Sequence, residues 1–168
     1  MKLESLKNKI PEFLYETLLK KGITELRPAQ VKALEAELLE RKNILVVTPT
    51  SSGKTLIAEL AAFNSIFNQI GKAIYIAPLK SLAMEKYKEF KKFYGEKAKI
   101  ALSIGDRDDA DHHLSSQDMI ITTSEKLDSL IRHHAPWLAS IATIIIDEIH
   151  LLNDPERGPT LEILITIL

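Results

Sequence analysis

Apolar residues follow two rhythms along this chain. In some stretches they recur every three to four positions on a polar background, the period of a helix with one buried face; in others they run together for about five residues and stop, as in a strand buried on both sides. Phe13, Leu14, Thr17 and Leu18 keep the helical rhythm and predict a first helix over residues 11–20, with Pro11 in its first turn and Gly22 just past its end. Pro28 opens a second helix, predicted to continue to about Glu40 on Val31, Leu34, Leu38 and Leu39. Asn43–Val47 is the first continuous apolar run and predicts a buried strand, followed by a helix from Lys54 to about Gln69 that Gly71 breaks. Ala73–Ala77 predicts the next strand, ended by Pro78, and a helix follows over 81–93. Further strands are predicted at Lys99–Ser103, Asp118–Thr122 and Ala142–Ile146. The polar, acidic segment 105–116 reads as a surface loop with room for a short helix, and Ser124 as the cap of a helix running to about His133.

Short apolar strands alternating with helices predict an α/β fold, a mostly parallel sheet with helices on both faces. Ligands of such sheets bind beyond the carboxyl ends of the strands. Thr48, Pro78, Thr122 and Asp147 all fall at predicted carboxyl ends, so four candidate sites are expected along one edge. Residues 1–42 are expected to be a helical N-terminal segment of the same domain as 43–168.

Composition narrows this picture. The chain has 168 residues, of which 45% are hydrophobic, enough for a real core. A net charge of −1 gives no global basic field, so any nucleic-acid contact has to come from a local surface. The absence of cysteine excludes disulfides and thiolate metal sites and fits a cytoplasmic protein. No signal peptide is visible, and no apolar stretch approaches the roughly 20 residues of a membrane span, so no membrane partner is expected. The apolar run 162–168 reads as structured chain, which predicts a fragment of a longer protein. The pairs His112-His113 and His133-His134 have neighbouring side chains pointing apart and predict no metal site, and the run of Lys86, Lys88, Lys91 and Lys92, interleaved with glutamates, reads as a solvated helix face.

The chemistry concentrates at two places. Thr48-Pro49-Thr50-Ser51-Ser52-Gly53-Lys54-Thr55 sits between a predicted strand and a predicted helix. In that context a loop ending in Gly-Lys-Thr binds phosphates: successive backbone N–H groups and the helix N-terminus face the anion. Gly53 lets the backbone approach, Lys54 reaches the β- and γ-phosphates, and the Thr55 hydroxyl holds magnesium. The pattern's first glycine is replaced here by Thr48. At the end of the last predicted strand stands Asp147-Glu148, the carboxylate pair such an ATPase needs: Asp147 for the magnesium, Glu148 to orient and deprotonate the attacking water.

These motifs resemble those of superfamily 2 helicases. Thr48–Thr55 looks like motif I, whose first position in that family is often not glycine, and Asp147-Glu148-Ile149-His150 looks like the DExH-box motif II. Arg27-Pro28-Ala29-Gln30 resembles the Q-motif, Ala77-Pro78-Leu79-Lys80-Ser81-Leu82-Ala83 motif Ia, Gly105-Asp106 the Gly-Asp element, and Thr122-Thr123-Ser124-Glu125-Lys126 motif Ib. The segment 151–162 is similar to the Ski-like branch, which includes archaeal DNA repair helicases. The resemblance implies an N-terminal RecA-like domain with ATP and Mg2+ as cofactors. It implies that Gln30 reads the adenine edge, that Thr50, Ser51, Ser52, Gly53, Lys54 and Thr55 hold the phosphates, and that Thr55 and Asp147 serve the metal. It assigns catalysis to Lys54, Asp147 and Glu148, and coupling between phosphate state and later motifs to His150. Pro78, Lys80, Ser81, Thr122, Thr123 and Ser124 would hold the backbone of single-stranded nucleic acid, DNA favoured over RNA. Phe13 is either an adenine-stacking ring or, as apolar-stripe aromatics usually are, core.

The resemblance stops before motif III and the second RecA-like domain, a partner that supplies an arginine finger. The expected behaviour is nucleotide binding with poor hydrolysis and no unwinding by these residues alone. Two other classes stay open. A non-helicase phosphate-loop motor would have no use for Gln30 with motifs Ia and Ib, and a plain nucleic-acid-binding module would have none for Lys54, Thr55, Asp147 and Glu148.

Overall fold

The computed structural model describes residues 1–49, 52–105 and 111–167. Thr50 and Ser51 of the phosphate loop, and Asp106 of the Gly-Asp element, lie outside the described residues. The backbone packs as two units, Met1–Ile70 and Gly71–Leu168.

The first unit is helical. Leu3 and Leu6, on a 3₁₀ turn at Leu3–Leu6, are buried, and the Leu3 and Leu26 N–H groups donate to the carbonyls of Thr24 and Met1. Helix α1 (Glu12–Lys20) buries Leu14, Thr17 and Leu18, one stripe of the predicted helix. Gly22, at φ +78°, ends it in a Schellman turn: the Ile23 and Gly22 N–H groups donate to the Leu18 and Leu19 carbonyls, at 3.1 and 2.9 Å. Helix α2 (Pro28–Glu35) is shorter than its apolar rhythm predicts. Glu37 and Arg41 both adopt left-handed backbone, at φ 63°, and Leu38–Glu40 forms a separate 3₁₀ turn, so Leu38 is buried without a continuous helix. Helix α3 (Lys54–Phe67) carries Leu56, Ile57, Leu60 and Phe63 into this core. Phe13 meets Phe67 edge-on at 5.4 Å between ring centroids, and Phe67 stacks on Phe63 at 5.7 Å, which makes Phe13 a packing residue. The Lys21 ammonium lies 2.6 Å from the carboxylate of Glu59, which is 1% exposed.

Asn43–Val47 corrects the sequence reading. These residues form no strand, and Leu45 and Val47 are 69% and 81% exposed. An apolar run becomes a strand only through a ladder with a neighbour. No ladder to 43–47 exists among the described residues.

The second unit is built on a four-stranded sheet in the order β2-β3-β1-β4, comprising β1 (Lys72–Ala77), β2 (Ile100–Ser103), β3 (Met119–Thr123) and β4 (Ile141–Ile146). Every pairing is parallel, with Tyr75 of β1 opposite Ile121 on one side and Ile145 on the other. The strand period of two sorts β1 onto two faces. Tyr75 turns toward α4 (Lys80–Tyr94), its ring edge-on to Phe90 at 5.8 Å. Ile74 and Ile76 pack in a cluster with Leu127 and Leu130 of α6 (Ser124–Arg132), Trp137, and Leu161 and Leu164 of α7 (Gly158–Ile167). A short helix α5 (Asp111–Leu114) precedes β3. The predicted α/β class, parallel sheet and helices on both faces are thus all present. At α6 the cap differs from expectation: Thr123 is the N-cap, and Ser124, a buried residue, is already helical. Among the described residues no helix is long and apolar enough to cross a membrane.

Candidate active site

In the first unit the phosphate loop enters α3 through Gly53, which has left-handed backbone at φ +87°. That conformation turns the chain sharply into the helix, and the Leu56 N–H of the first turn donates to the Gly53 carbonyl at 3.1 Å. Lys54 is the first helical residue; its ammonium donates to the Thr48 and Pro49 carbonyls of its own loop, at 3.0 and 3.4 Å. The Thr48 and Ser52 hydroxyls lie 2.6 Å apart, so the residue that stands where the pattern has glycine is hydrogen-bonded to the residue before Gly53. Thr55 is half-buried in the first turn.

Gln30 is brought to this loop from 23 residues away in sequence. Its carbonyl oxygen accepts the Arg27 N–H at 2.7 Å, and its amide nitrogen donates to the Gly53 carbonyl at 3.0 Å. The side chain is 4% exposed. These two bonds use one donor and one acceptor position of the amide. The Q-motif residue is therefore also a brace for the phosphate loop.

In the second unit, β1, β3 and β4 run parallel and put Pro78, Ser124 and Asp147 at one edge, where they line a small cavity of about 10 Å³ with Ile76, Ala77, Leu151, Arg157 and Leu161. Asp147 is half-buried and tied down by three bonds. Its N–H donates to the Ile76 carbonyl at 2.9 Å, its Oδ2 accepts the Tyr75 hydroxyl at 2.7 Å, and its Oδ1 accepts the Glu148 N–H at 3.0 Å. Burial, and then the Asp147 charge, push the Tyr75 hydroxyl well above its ordinary pKa, so it stays protonated and donates. Glu148 takes left-handed backbone at φ 54°, and its exposed carboxylate lies 3.2 Å from the His150 Nδ1.

Among the described residues no three His, Cys, Asp or Glu side chains gather into a metal cage. Magnesium in nucleotide sites is held by one or two carboxylates together with substrate phosphates. Asp147 keeps lone pairs beyond the two that its partners use, and so fits that role.

The candidate nucleic-acid residues divide by exposure. Lys80 and Ser81 are exposed at the start of α4 and Pro78 is half-buried, whereas Thr122, Thr123 and Ser124 are buried. Tyr75 and Arg157 were not among the sequence candidates. A hydroxyl in the middle of the apolar strand Ala73–Ala77 is the signal that points to Tyr75; a lone cation beside Gly158 points to Arg157.

Known proteins bear out the resemblance to helicases. The DEAD/DEAH box helicase family matches residues 27–168. The ATP-dependent DNA helicase Hel308 of Pyrococcus horikoshii is 47% identical over 166 residues, covering 99% of this chain and 23% of that protein. Hel308 of Methanocaldococcus jannaschii is 53% identical over 152 residues, 86% of this chain and 13% of that protein. The chain thus spans under a quarter of the length of these relatives. A crystal structure of the DUF1998 helicase MrfA bound to DNA and AMPPNP superposes with a TM-score of 0.75 at 30% identity, over 85% of this chain and 21% of that one. The chain belongs to the DEAD/DEAH box helicase family.

Proposed function

We propose that this chain is the nucleotide-binding RecA-like part of an ATP-dependent DNA helicase of the cytoplasm. The observation that carries the proposal is the position of Lys54, first residue of α3 directly after a left-handed Gly53, in a chain whose edge strand β4 runs into Asp147-Glu148. Lys54 and the α3 N-terminus hold the β- and γ-phosphates, which exceed the loop carbonyls of Thr48 and Pro49 in charge and replace them as partners of the ammonium. Thr55 and Asp147 serve the magnesium ion, which when bound neutralises charge on the phosphates. Glu148 accepts the proton of the attacking water, and Gln30 reads adenine. His150, in contact with Glu148, relays the phosphate state.

Exposed Lys80 and Ser81, Pro78, and the backbone at the α6 N-terminus with Thr122, Thr123 and Ser124 hold phosphates of single-stranded DNA. The Hel308 relatives and the DNA-bound MrfA structure favour DNA over RNA. The full-length protein couples hydrolysis to translocation in the 3′ to 5′ direction, with a second RecA-like domain supplying an arginine finger. Such a residue contributes about 10³–10⁵ in rate in related enzymes, so these residues alone bind ATP, hydrolyse it slowly and do not unwind.

The test is binding of a fluorescent ATP analogue with magnesium, competed by ATP and by GTP. ATP is expected to compete, GTP to fail, and Lys54→Ala to abolish the signal. Undiminished binding by Lys54→Ala overturns the phosphate-loop assignment; equal competition by GTP overturns the role of Gln30.

A further inference from the structure

The hydroxyl of Tyr75 stands 2.7 Å from Asp147 Oδ2 in an otherwise apolar strand. Its neighbours Ala73, Ile74, Ile76 and Ala77 are all buried, and the Tyr75 ring itself is 2% exposed against Phe90. Packing alone would be served by phenylalanine, which fills the same space with no hydroxyl to desolvate. The hydroxyl has instead a charged acceptor, and that acceptor is the carboxylate at the end of β4. Asp147 is held at its backbone by the Ile76 carbonyl and at Oδ1 by the Glu148 N–H. The Tyr75 bond is the one among these that comes from another side chain, and with the Glu148 N–H it ties down both carboxylate oxygens.

We propose that Tyr75 is a positioning residue for magnesium: it orients Asp147 so that the unused lone pairs face the ion that accompanies ATP. The inference rests on the ATP-binding reading above and deepens it. Partners that orient a metal-binding carboxylate typically change metal affinity or activity by about 10–100-fold when removed.

The experiment measures the dissociation constant of a fluorescent ATP analogue with magnesium and in EDTA, for the parent chain, Tyr75→Phe, Phe90→Leu and Asp147→Asn, together with melting temperatures. The ratio of the two constants reads the help that magnesium gives. In Tyr75→Phe the ratio is expected to fall on the order of tenfold, with the EDTA constant unchanged and the variant folded. Phe90→Leu, which disturbs the same ring pair and leaves the carboxylate alone, is expected to keep the parent ratio. An unchanged ratio in Tyr75→Phe beside a reduced one in Asp147→Asn overturns the role of Tyr75 and leaves the ATP site standing. An equal loss in Phe90→Leu, or failure of Tyr75→Phe to fold, overturns it as well, because the ring or hydroxyl would then act on the fold and not on the metal. An unchanged ratio in Asp147→Asn overturns the magnesium assignment itself.

Discussion

The amide nitrogen of Gln30 lies 3.0 Å from the carbonyl oxygen of Gly53 and occupies the space that a side chain on Gly53 would need. A Cβ at that position would sit 2.3 Å from this nitrogen and 3.3 Å from the Arg27 side chain. The left-handed φ of +87° adds strain for any L-residue. Gly53→Ala is therefore expected to lose about 1–3 kcal/mol of stability and to displace Gln30 from the loop. Thermal melting and titration of a fluorescent ATP analogue check this: a lower melting temperature with binding weakened tenfold or more is the expected outcome. A variant with parent-like values would mean that Gln30 does not brace the loop.

Much of this arrangement is legible in the sequence because it is local. The runs Ala73–Ala77, Asp118–Thr122 and Ala142–Ile146 lie within a residue of β1, β3 and β4, since strands with apolar residues on both faces announce themselves as unbroken apolar stretches. The carboxyl-edge positions of Pro78 and Asp147 follow from parallel order alone. What the sequence hides is tertiary or conformational. Leu38 and Leu39 keep the helical rhythm after α2 has ended, because the left-handed backbone at Glu37 leaves no mark in an apolar pattern. Asn43–Val47 has the composition of a strand, but a ladder needs a neighbour that composition cannot supply. Tyr75 counts as one more apolar strand residue until the fold brings Asp147, 72 residues later, to its hydroxyl. Gln30 is legible as a motif residue, yet its bond to Gly53 is not.

The Lys21–Glu59 pair makes a second prediction. At 2.6 Å, with Glu59 1% exposed, the pair is held away from water. Removing the cation takes one partner from a buried carboxylate, so Lys21→Met is expected to cost about 1–3 kcal/mol. Replacing both partners by apolar groups removes the charge that needed compensation, and Lys21→Met combined with Glu59→Leu is expected to recover most of the loss. Urea denaturation of the two single variants and the double variant reads the difference. A double variant that is no more stable than Lys21→Met would show that Glu59 serves its other neighbours more than it serves Lys21.

Glu148 separates binding from chemistry. Its carboxylate is exposed beside His150 and is not the group fixed by Tyr75. On the proposed function it accepts the water proton and acts only in the reaction, so Glu148→Gln in the full-length protein is expected to lower kcat about 10²–10⁴-fold with little change in ATP affinity. Single-turnover hydrolysis and nucleotide titration check the split. A parallel fall in affinity would move Glu148 to the ligand-holding group.

Asp154 predicts a pH dependence. Its Oδ1 accepts the N–H groups of Arg157 and Glu156, at 3.0 and 2.9 Å, directly before α7. Those backbone bonds, that of Arg157 foremost, hold its carboxyl below the usual Asp value. A carboxyl with a depressed folded-state pKa binds its proton less readily in the fold than in the unfolded chain, so its support is whole above the ordinary Asp pKa of about 3.9 and disappears as pH falls through the lowered value. Asp154→Ala is expected to melt below the parent at pH 7, and the gap between them to close on acidification through that range. Asp154→Asn keeps a neutral acceptor, so it should fall between the two at pH 7 and show a flatter pH profile than the parent. Melting curves of the three proteins between neutral and strongly acidic pH make the comparison; a gap that stays constant with pH would assign the stabilisation to packing around Asp154 and not to its charge.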